Sequence, residues 1–271
     1  MKHYFLFVLF VCLNSFSQTH YFPHLSYGKS SQQILDLYAP NENLKNLPVV
    51  ILIHGGSWSM GGLEYTKKHA EDIANKGFVV ANVDYRYAND SVSAKDLLAD
   101  IDAAVSYVSK KSGKYGYTKN GYHIVGISAG AHLALLYGYT KKNMKSITAL
   151  CAPSRLDSPE VLEFRKKNGR FDIIEKLAGT KIDSSGDNSA IIKISPFSNI
   201  SNVPTLLIHG DADNVVNVSQ SQNLYNELKR KGVETKLIIR EGKAHDVGMN
   251  TPETEIQNIK NITEWISQHN K

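Results

Sequence analysis

Cysteine is scarce in this sequence, which has two among its 271 residues, Cys12 and Cys151. We expect Cys12 to be removed with an N-terminal peptide, so that Cys151 is the only cysteine of the mature chain. A single cysteine excludes an internal disulfide, although the expected compartment is oxidising. A chain of this length is able to bury enough core without one. Cys151 is interpreted as a buried strand residue, with a reactive thiol as the alternative.

The sequence also has no apolar run long enough to span a bilayer, which takes about 20 residues. The run from Tyr4 to Leu13 has about ten residues and follows a short basic start, as in a signal peptide. Ser15 and Ser17 supply small residues at alternate positions. We predict a signal peptide over 1–17 and a secreted or periplasmic mature chain. A buried N-terminal element and a lipoprotein modified at Cys12 are the alternatives.

No stripe of one charge sign runs along the chain. The formal net charge is +5, and the lysine pairs are scattered near predicted helix ends. This pattern indicates solvated surface and argues against nucleic acid as a partner. Stable insertion into a membrane is not expected, because the apolar run is too short to span a bilayer. The pattern leaves the oligomeric state open.

What the sequence does contain is a regular alternation of apolar strands and amphipathic helices. Such alternation predicts a doubly wound α/β fold with a mostly parallel sheet, formed by a single domain over 18–271. The predicted strands are Val49–Ile53, Phe78–Val83, Tyr122–Ile127, Ser146–Ala152, Thr205–His209 and Thr235–Arg240. The predicted helices are Tyr65–Lys76, Ala94–Lys110, Ala129–Tyr139, Val218–Lys231 and Ile256–His269.

The segment 153–203 interrupts this alternation. Its polar composition and its Pro, Gly and Ser residues predict an insertion with two short helices, Pro159–Lys167 and Phe171–Leu177. The insertion follows a strand, so we expect it over the carboxyl edge of the sheet, where ligands bind in such folds. We interpret it as lid-like, with a packing excursion that contacts no substrate as the alternative.

Gly126-Ile127-Ser128-Ala129-Gly130 fits the pattern Gly-x-Ser-x-Gly between a predicted strand and a predicted helix. A tight strand-to-helix turn of this kind projects the serine outward as a nucleophile. The N–H of Ala129 would then lie at a helix N-terminus, where negative charge is favoured. Ser128 is therefore the predicted nucleophile.

A second loop, starting at His54, places two glycines after the strand Val49–Ile53. Adjacent glycines allow backbone N–H groups to converge on one point, as an oxyanion hole requires. We predict that Gly56 and Ser57 form this hole together with Ala129, and the sequence leaves the choice among Gly55, Gly56 and Ser57 open. His54 is interpreted as a brace for the loop through a hydrogen bond, with a catalytic role as the alternative. Trp58 is predicted to contact substrate, with simple packing as the alternative.

A serine nucleophile needs a base, and the base needs an orienting acid. Asp213 follows the strand Thr205–His209 and is favoured over its neighbour Asp211. His245 follows the last predicted strand and is the predicted base. The competing histidines lie within predicted strands or helices or near the chain end, at His123, His132, His209 and His269.

These motifs together resemble the α/β-hydrolases related to hormone-sensitive lipase, and most of all their bacterial feruloyl-esterase-like and kynurenine-formamidase-like branch. The resemblance covers about Leu35 to Trp265. Ser57 replaces the third glycine of many lipase relatives, and Ile127 replaces a common aspartate; both favour the esterase and formamidase branch. The segments that carry the resemblance, beyond the motifs above, are Asp84–Ala88, Ser195–Ser198, Val203–Pro204 and Val218–Ser221.

The resemblance implies a serine carboxylesterase that acts through an acyl-enzyme, with no metal and no organic cofactor. With secretion, it suggests small or carbohydrate-linked esters, such as acetyl or feruloyl esters of plant polysaccharide. A peptidase related to prolyl oligopeptidase, a formamidase or other amidase, and a non-catalytic binding protein are the alternatives. The acyl group and the alcohol are left open.

Overall fold

A computed structural model describes residues 19–40, 44–45, 47–141, 143–167, 171–181 and 188–270. The predicted signal peptide, 1–17, lies outside the described residues. Among the described residues, no helix has the length and apolar character needed to cross a bilayer.

The described residues form one eight-stranded sheet in the order β1-β2-β4-β3-β5-β6-β7-β8. The strands β4, β3, β5, β6, β7 and β8 pair in parallel, and β1 and β2 are antiparallel at one edge. The mostly parallel α/β fold is therefore confirmed. The strands are β1 His20–Ser26, β2 Ile34–Ala39, β3 Val49–Ile53, β4 Val79–Val83, β5 Tyr122–Ile127, β6 Met144–Leu150, β7 Thr205–Gly210 and β8 Thr235–Arg240.

From β3 to β8, helices connect successive strands, as parallel pairing requires. The longest begins in a capping box, in which Ser93 and Asp96 satisfy backbone N–H groups reciprocally. Short 3-10 helices at Leu63–Tyr65 and Pro196–Asn199 supplement them. The α-helices are α1 Lys67–Ala74, α2 Ala94–Tyr115, α3 Ala129–Lys141, α4 Pro159–Lys167, α5 Phe171–Ala178, α6 Ser189–Ile194, α7 Ser219–Arg230 and α8 Pro252–Gln268.

Both faces of the sheet are covered. Alternate residues of β3 belong to different hydrophobic clusters, with Ile51 in one and Leu52 in the other. Residues of α2, α3 and α7 join the cluster of Ile51, and residues of α1 and α8 join that of Leu52. Because each face is packed, the central strands are continuously apolar.

Two predictions about strands need correction. The antiparallel strands β1 and β2 were not predicted, and β6 ends at Leu150, two residues before the predicted end at Ala152. The apolar run continues past Leu150, but Cys151 has φ of +50° and leaves the strand direction. Cys151 is buried, as expected, immediately after the strand.

The insertion 153–203 starts three residues beyond the carboxyl end of β6. It contains the two predicted helices, as α4 and α5, and a third that was not predicted, α6. The insertion is attached to α3, because Nε2 of His132 lies 2.8 Å from the carbonyl oxygen of Ile194. Buried residues of the insertion, such as Leu156 and Ile174, belong to the cluster that contains Ile51.

Candidate active site

Ser128 occupies the turn between β5 and α3 and has φ of +55°. Its N–H donates to the carbonyl oxygen of Leu150, at 2.8 Å, which holds the turn against β6. The helix starts very close to β3, and a Cβ atom built at Gly130 would lie 2.3 Å from the carbonyl oxygen of Ile53. Only glycine fits there, and the close approach leaves the partly exposed Ser128 side chain above the sheet edge.

Three of the predicted side chains form a continuous hydrogen-bonded chain. Oγ of Ser128 lies 2.8 Å from Nε2 of His245, and Nδ1 of His245 lies 2.7 Å from Oδ2 of Asp213. With the ring proton on Nδ1, that N–H donates to the carboxylate and Nε2 accepts from the serine hydroxyl. This is the geometry of a nucleophile, its base and an orienting acid.

The carboxylate of Asp213 is held on both oxygens. Oδ1 accepts hydrogen bonds from the N–H groups of Val215 and Val216, at 2.8 and 2.9 Å, and Oδ2 contacts His209 and His245. Burial alone would raise the pKa of Asp213. The bonds from the two histidines and the two N–H groups outweigh burial and hold its pKa well below the usual range.

The neighbouring Asp211 has a different role. It is exposed, and its Oδ1 accepts a hydrogen bond of 2.7 Å from the N–H of Gly242. The N–H of Ala212 also donates to the carbonyl oxygen of Lys243, at 3.0 Å. Asp211 therefore joins the loop after β7 to the loop after β8, and Asp213 is the aspartate that contacts His245.

The predicted oxyanion loop leaves β3 in an unusual backbone conformation. Gly56, Ser57 and Trp58 have φ of +118°, +51° and +59°. Within the described part of the chain, no hydrogen-bond acceptor is recorded for the N–H of Gly56 or of Ser57. The N–H of Ala129, at the start of α3, has no carbonyl within its helix to bond. These three groups are the donors that the sequence predicted for an oxyanion.

His54 braces this loop, as predicted. Its Nε2 lies 2.9 Å from Oδ1 of Asp84, and its Nδ1 lies 2.6 Å from the carbonyl oxygen of Gly55. The ring of Tyr85 stacks on the imidazole at 4.4 Å, and the Tyr85 hydroxyl donates to the carbonyl oxygen of His54. The segment Asp84–Ala88, which contributed to the resemblance, thus supports the oxyanion loop.

Trp58 does not have the position expected of a substrate-binding residue. Its side chain is 1% exposed and lies in the hydrophobic cluster of α2 and α3. Its Nε1–H donates to Nδ1 of His132, at 3.1 Å, with the two rings edge to face. The alternative considered from the sequence, simple packing, is the one that the structure shows.

Two exposed side chains that follow the oxyanion loop were not identified from the sequence. They are Tyr65, which is 60% exposed, and Met60, which is 63% exposed. A Cβ atom built at Gly55 would lie 3.3 Å from Cβ of Ser128 and 3.6 Å from Cε1 of Tyr65. The phenol ring therefore lies beside the nucleophile. The sequence does not predict that Tyr65 lies close to Ser128, because this contact depends on how the loop folds back before α1.

One group of metal-ligand types lies close together among the described residues. Ligand atoms of Cys151, His209 and Asp213 are within 4.8 Å of one another. Burial raises the pKa of the Cys151 thiol strongly, and metal ligation requires the thiolate. Asp213 and His209 already bond to each other. The donor set fits a hydrogen-bonded network better than a metal centre.

Comparison with known proteins agrees with this geometry. The BD-FAE family model matches residues 35–228. A probable isoprenylcysteine alpha-carbonyl methylesterase of Oryza sativa subsp. japonica is 30% identical over 83% of this chain and 58% of its own length. A kynurenine formamidase of Salmo salar is 30% identical over 46% of this chain and 41% of its own. The chain thus spans about half the length of these curated relatives.

Among solved structures, a truncated carbohydrate esterase from gut microbiota superposes with a TM-score of 0.79 at 19% identity, over 94% of this chain and 98% of its own. At this identity the similarity supports the fold. The family match covers most of the chain, including Ser128 and Asp213, and the resemblance inferred from the motifs is confirmed. The chain belongs to the BD-FAE family, within the esterase branch of the α/β-hydrolases.

Proposed function

We propose that this chain is a secreted serine carboxylesterase that hydrolyses small carboxylic esters through an acyl-enzyme. The hydrogen-bonded chain from Ser128 through His245 to Asp213 carries the proposal. The serine hydroxyl faces a base whose other nitrogen is already bonded to a buried carboxylate. The unpartnered N–H groups of Gly56 and Ser57 supply the second requirement, which is stabilisation of an oxyanion.

The geometry supports acyl transfer in two halves. His245 takes the proton of Ser128 as Oγ attacks the ester carbonyl, and the N–H groups of Gly56, Ser57 and Ala129 receive the oxyanion. His245 then protonates the leaving alcohol, and a water molecule activated by the same imidazole releases the acid. Asp213 keeps the Nδ1–H tautomer and stabilises the imidazolium that forms in each half.

The proposed substrates are small carboxylic esters, such as acetyl or feruloyl esters of plant polysaccharide. The predicted signal peptide favours an extracellular substrate. The fold shared with a carbohydrate esterase supports an ester linked to carbohydrate. The exposed ring of Tyr65 offers an apolar surface beside Ser128, against which an acyl or aryl group is able to pack.

Steady-state kinetics on acetyl, butyryl, octanoyl and feruloyl p-nitrophenyl esters test the proposal. Wild-type protein should hydrolyse acetyl esters, and Ser128→Ala should lower kcat by at least about 1,000-fold, as removal of a serine nucleophile does. Ser91→Ala, on an exposed loop, is the matched control and should retain full activity. Residual activity of Ser128→Ala close to wild type would show that the nucleophile is wrong.

A formamidase is the second candidate, because a kynurenine formamidase is 30% identical over 46% of this chain. An amide and an ester place the same demands on nucleophile, base and oxyanion hole, so the triad does not separate them. The ratio of kcat/KM for N-formylkynurenine to that for p-nitrophenyl acetate does. A ratio above one would assign the chain to amide hydrolysis, and a peptide panel measured alongside tests the peptidase alternative.

A further inference from the structure

A second imidazole lies on the far side of the predicted acid. His209, the penultimate residue of β7, is fully buried. Its Nε2 lies 3.1 Å from Oδ2 of Asp213, the same oxygen that contacts Nδ1 of His245 at 2.7 Å. One carboxylate oxygen therefore has an imidazole on either side, and only His245 reaches the nucleophile.

The partners of His209 define its tautomer. Nε2 also lies 2.9 Å from the carbonyl oxygen of Val216, so both of its neighbours are acceptors and this nitrogen carries the proton. Nδ1 lies 2.7 Å from Oγ of Ser221 and accepts its hydroxyl proton. Ser221 is buried in the first turn of α7, within the segment Val218–Ser221 that contributed to the resemblance.

These contacts fix the plane of the Asp213 carboxylate. The N–H groups of Val215 and Val216 hold Oδ1, and His209 holds Oδ2 from the side of the sheet. The carboxylate cannot rotate without breaking one of these bonds in a buried site. The free lone pair of Oδ2 is therefore directed at Nδ1 of His245 before any substrate is present.

We propose that His209, held in its Nε2–H tautomer by Ser221, is a positioning residue that sets the orientation of Asp213 and through it the alignment of His245 with Ser128. The inference rests on the proposed function, since it concerns the efficiency of the same triad. His209 itself touches neither the nucleophile nor the base. His209 contributes by fixing the position of the Asp213 carboxylate. A displacement of about 1 Å in a catalytic group lowers the rate about 100-fold.

Two amide side chains in place of His209 distinguish a role in positioning Asp213 from a role in packing alone. The side-chain nitrogen of glutamine reaches where Nε2 of histidine lies, so His209→Gln retains a donor to Asp213. The nitrogen of asparagine reaches only as far as Nδ1, so His209→Asn removes that donor. We expect kcat of His209→Asn to fall roughly 10- to 100-fold with KM within about twofold of wild type, and His209→Gln to recover most of kcat.

Ser221→Ala is a milder variant that keeps the imidazole and removes the hydroxyl that selects its tautomer. Its kcat should lie between those of wild type and His209→Asn. Ser219→Ala, in the same turn of α7, is the matched control and should have wild-type kcat. The rate of labelling of Ser128 by a fluorophosphonate probe should follow the same order, with complete labelling in every folded variant.

Equal loss of kcat in His209→Gln and His209→Asn, in step with lower thermal stability, would overturn the inference and leave His209 a packing residue. Wild-type kcat in both Ser221→Ala and His209→Asn would also overturn it. Failure of the proposed function has another signature, which is wild-type protein that neither hydrolyses the esters nor labels at Ser128.

Discussion

Nε2 of His54 lies 2.9 Å from Oδ1 of Asp84, and this contact joins the oxyanion loop after β3 to the loop after β4. The same oxygen accepts the N–H of Tyr85, at 2.8 Å. A single buried acceptor therefore fixes two neighbouring loops. The N–H groups proposed to bind the oxyanion lie on one of these loops, so their position depends on that acceptor, although it lies on a different strand connection.

Replacement of this acceptor tests its role. Asp84→Ala leaves Nε2 of the buried His54 without an acceptor, which costs about 1–3 kcal/mol of unfolding free energy. It should also lower kcat, because Gly56 and Ser57 lose their support. Asp84→Asn keeps an oxygen acceptor and should retain most of the stability and rate. Urea unfolding and ester kinetics on both variants measure this, and equal behaviour of the two would contradict the role assigned to the acceptor.

The two neighbouring aspartates should differ sharply. Asp213→Asn replaces the acceptor for Nδ1 of His245 with an amide that can favour the wrong tautomer, and kcat should fall by up to about 10,000-fold. Asp211→Asn is the matched control, because Asp211 is exposed and contacts the N–H of Gly242. Its kcat should stay within about twofold of wild type. A large loss in Asp211→Asn alone would reverse the assignment.

Because α3 lies so close to β3, even a methyl side chain at position 130 should lower the free energy of unfolding. A Cβ at position 130 would lie 2.3 Å from the carbonyl oxygen of Ile53 and 2.4 Å from that of His54. Gly130→Ala should destabilise the fold by about 1–3 kcal/mol and lower activity by displacing Ser128. Gly113→Ala, in α2 with open space around it, should instead stabilise by about 1 kcal/mol. Denaturant unfolding distinguishes these opposite signs.

The buried His132 predicts how stability depends on pH. Burial lowers the pKa of His132 to about 4. The unfolded chain, with a histidine pKa of about 6.5, binds the proton first as the pH falls. The free energy of unfolding should therefore decrease between about pH 6.5 and about pH 4, by about 3 kcal/mol from this group.

His132→Gln retains a donor toward the carbonyl oxygen of Ile194 and does not titrate. Its unfolding free energy should change less between about pH 7 and about pH 5 than that of wild type. Part of the dependence remains, because burial also lowers the pKa of His123 to about 4. Identical pH dependence of wild type and variant in urea titrations would refute the prediction.

Tyr65 should select among substrates without affecting the chemistry of the triad. Removal of its ring takes away apolar surface beside Ser128, so Tyr65→Ala should raise KM for octanoyl and feruloyl esters more than for acetyl esters. Ile256→Ala, which is 68% exposed on α8, is the control and should leave every KM unchanged. A uniform loss of kcat across the ester series would show that Tyr65 acts on the loop instead.

Much of the fold was predictable because the parallel strands are buried on both faces and read as continuous apolar runs. The antiparallel strand β1 gives no such signal. It is largely exposed, contains Pro23, and pairs with β2 in a register that shifts between Phe22 and Leu25, which interrupts the alternation of side chains. Edge strands of this kind depend on the rest of the sheet, so local pattern is a weak guide to them.

The active site, like the fold, contains residues that the sequence predicts and residues that it does not. Ser128, His245 and Asp213 were identified because each follows a strand and meets the others at one edge of a parallel sheet. The direction of a side chain within a loop is set by backbone conformations that the sequence does not encode locally. Positive φ angles at Ser57 and Trp58 accompany an indole buried against α3, and Tyr65 is exposed beside Ser128 in its place.

The hydrogen bonds between the loops after β7 and β8 determine which parts of the active site are able to vary independently. Asp213 and His245 lie on two loops joined by backbone and by Asp211, whereas the insertion 153–203 arises after β6. The insertion is nevertheless tied to the acid side of this pair, because the N–H groups of Ser154 and Arg155 donate to Oε1 of Gln220 in the first turn of α7. Changes in the insertion are therefore constrained where it meets α7, whereas the acid and the base keep their relative position through the bonds between their own loops.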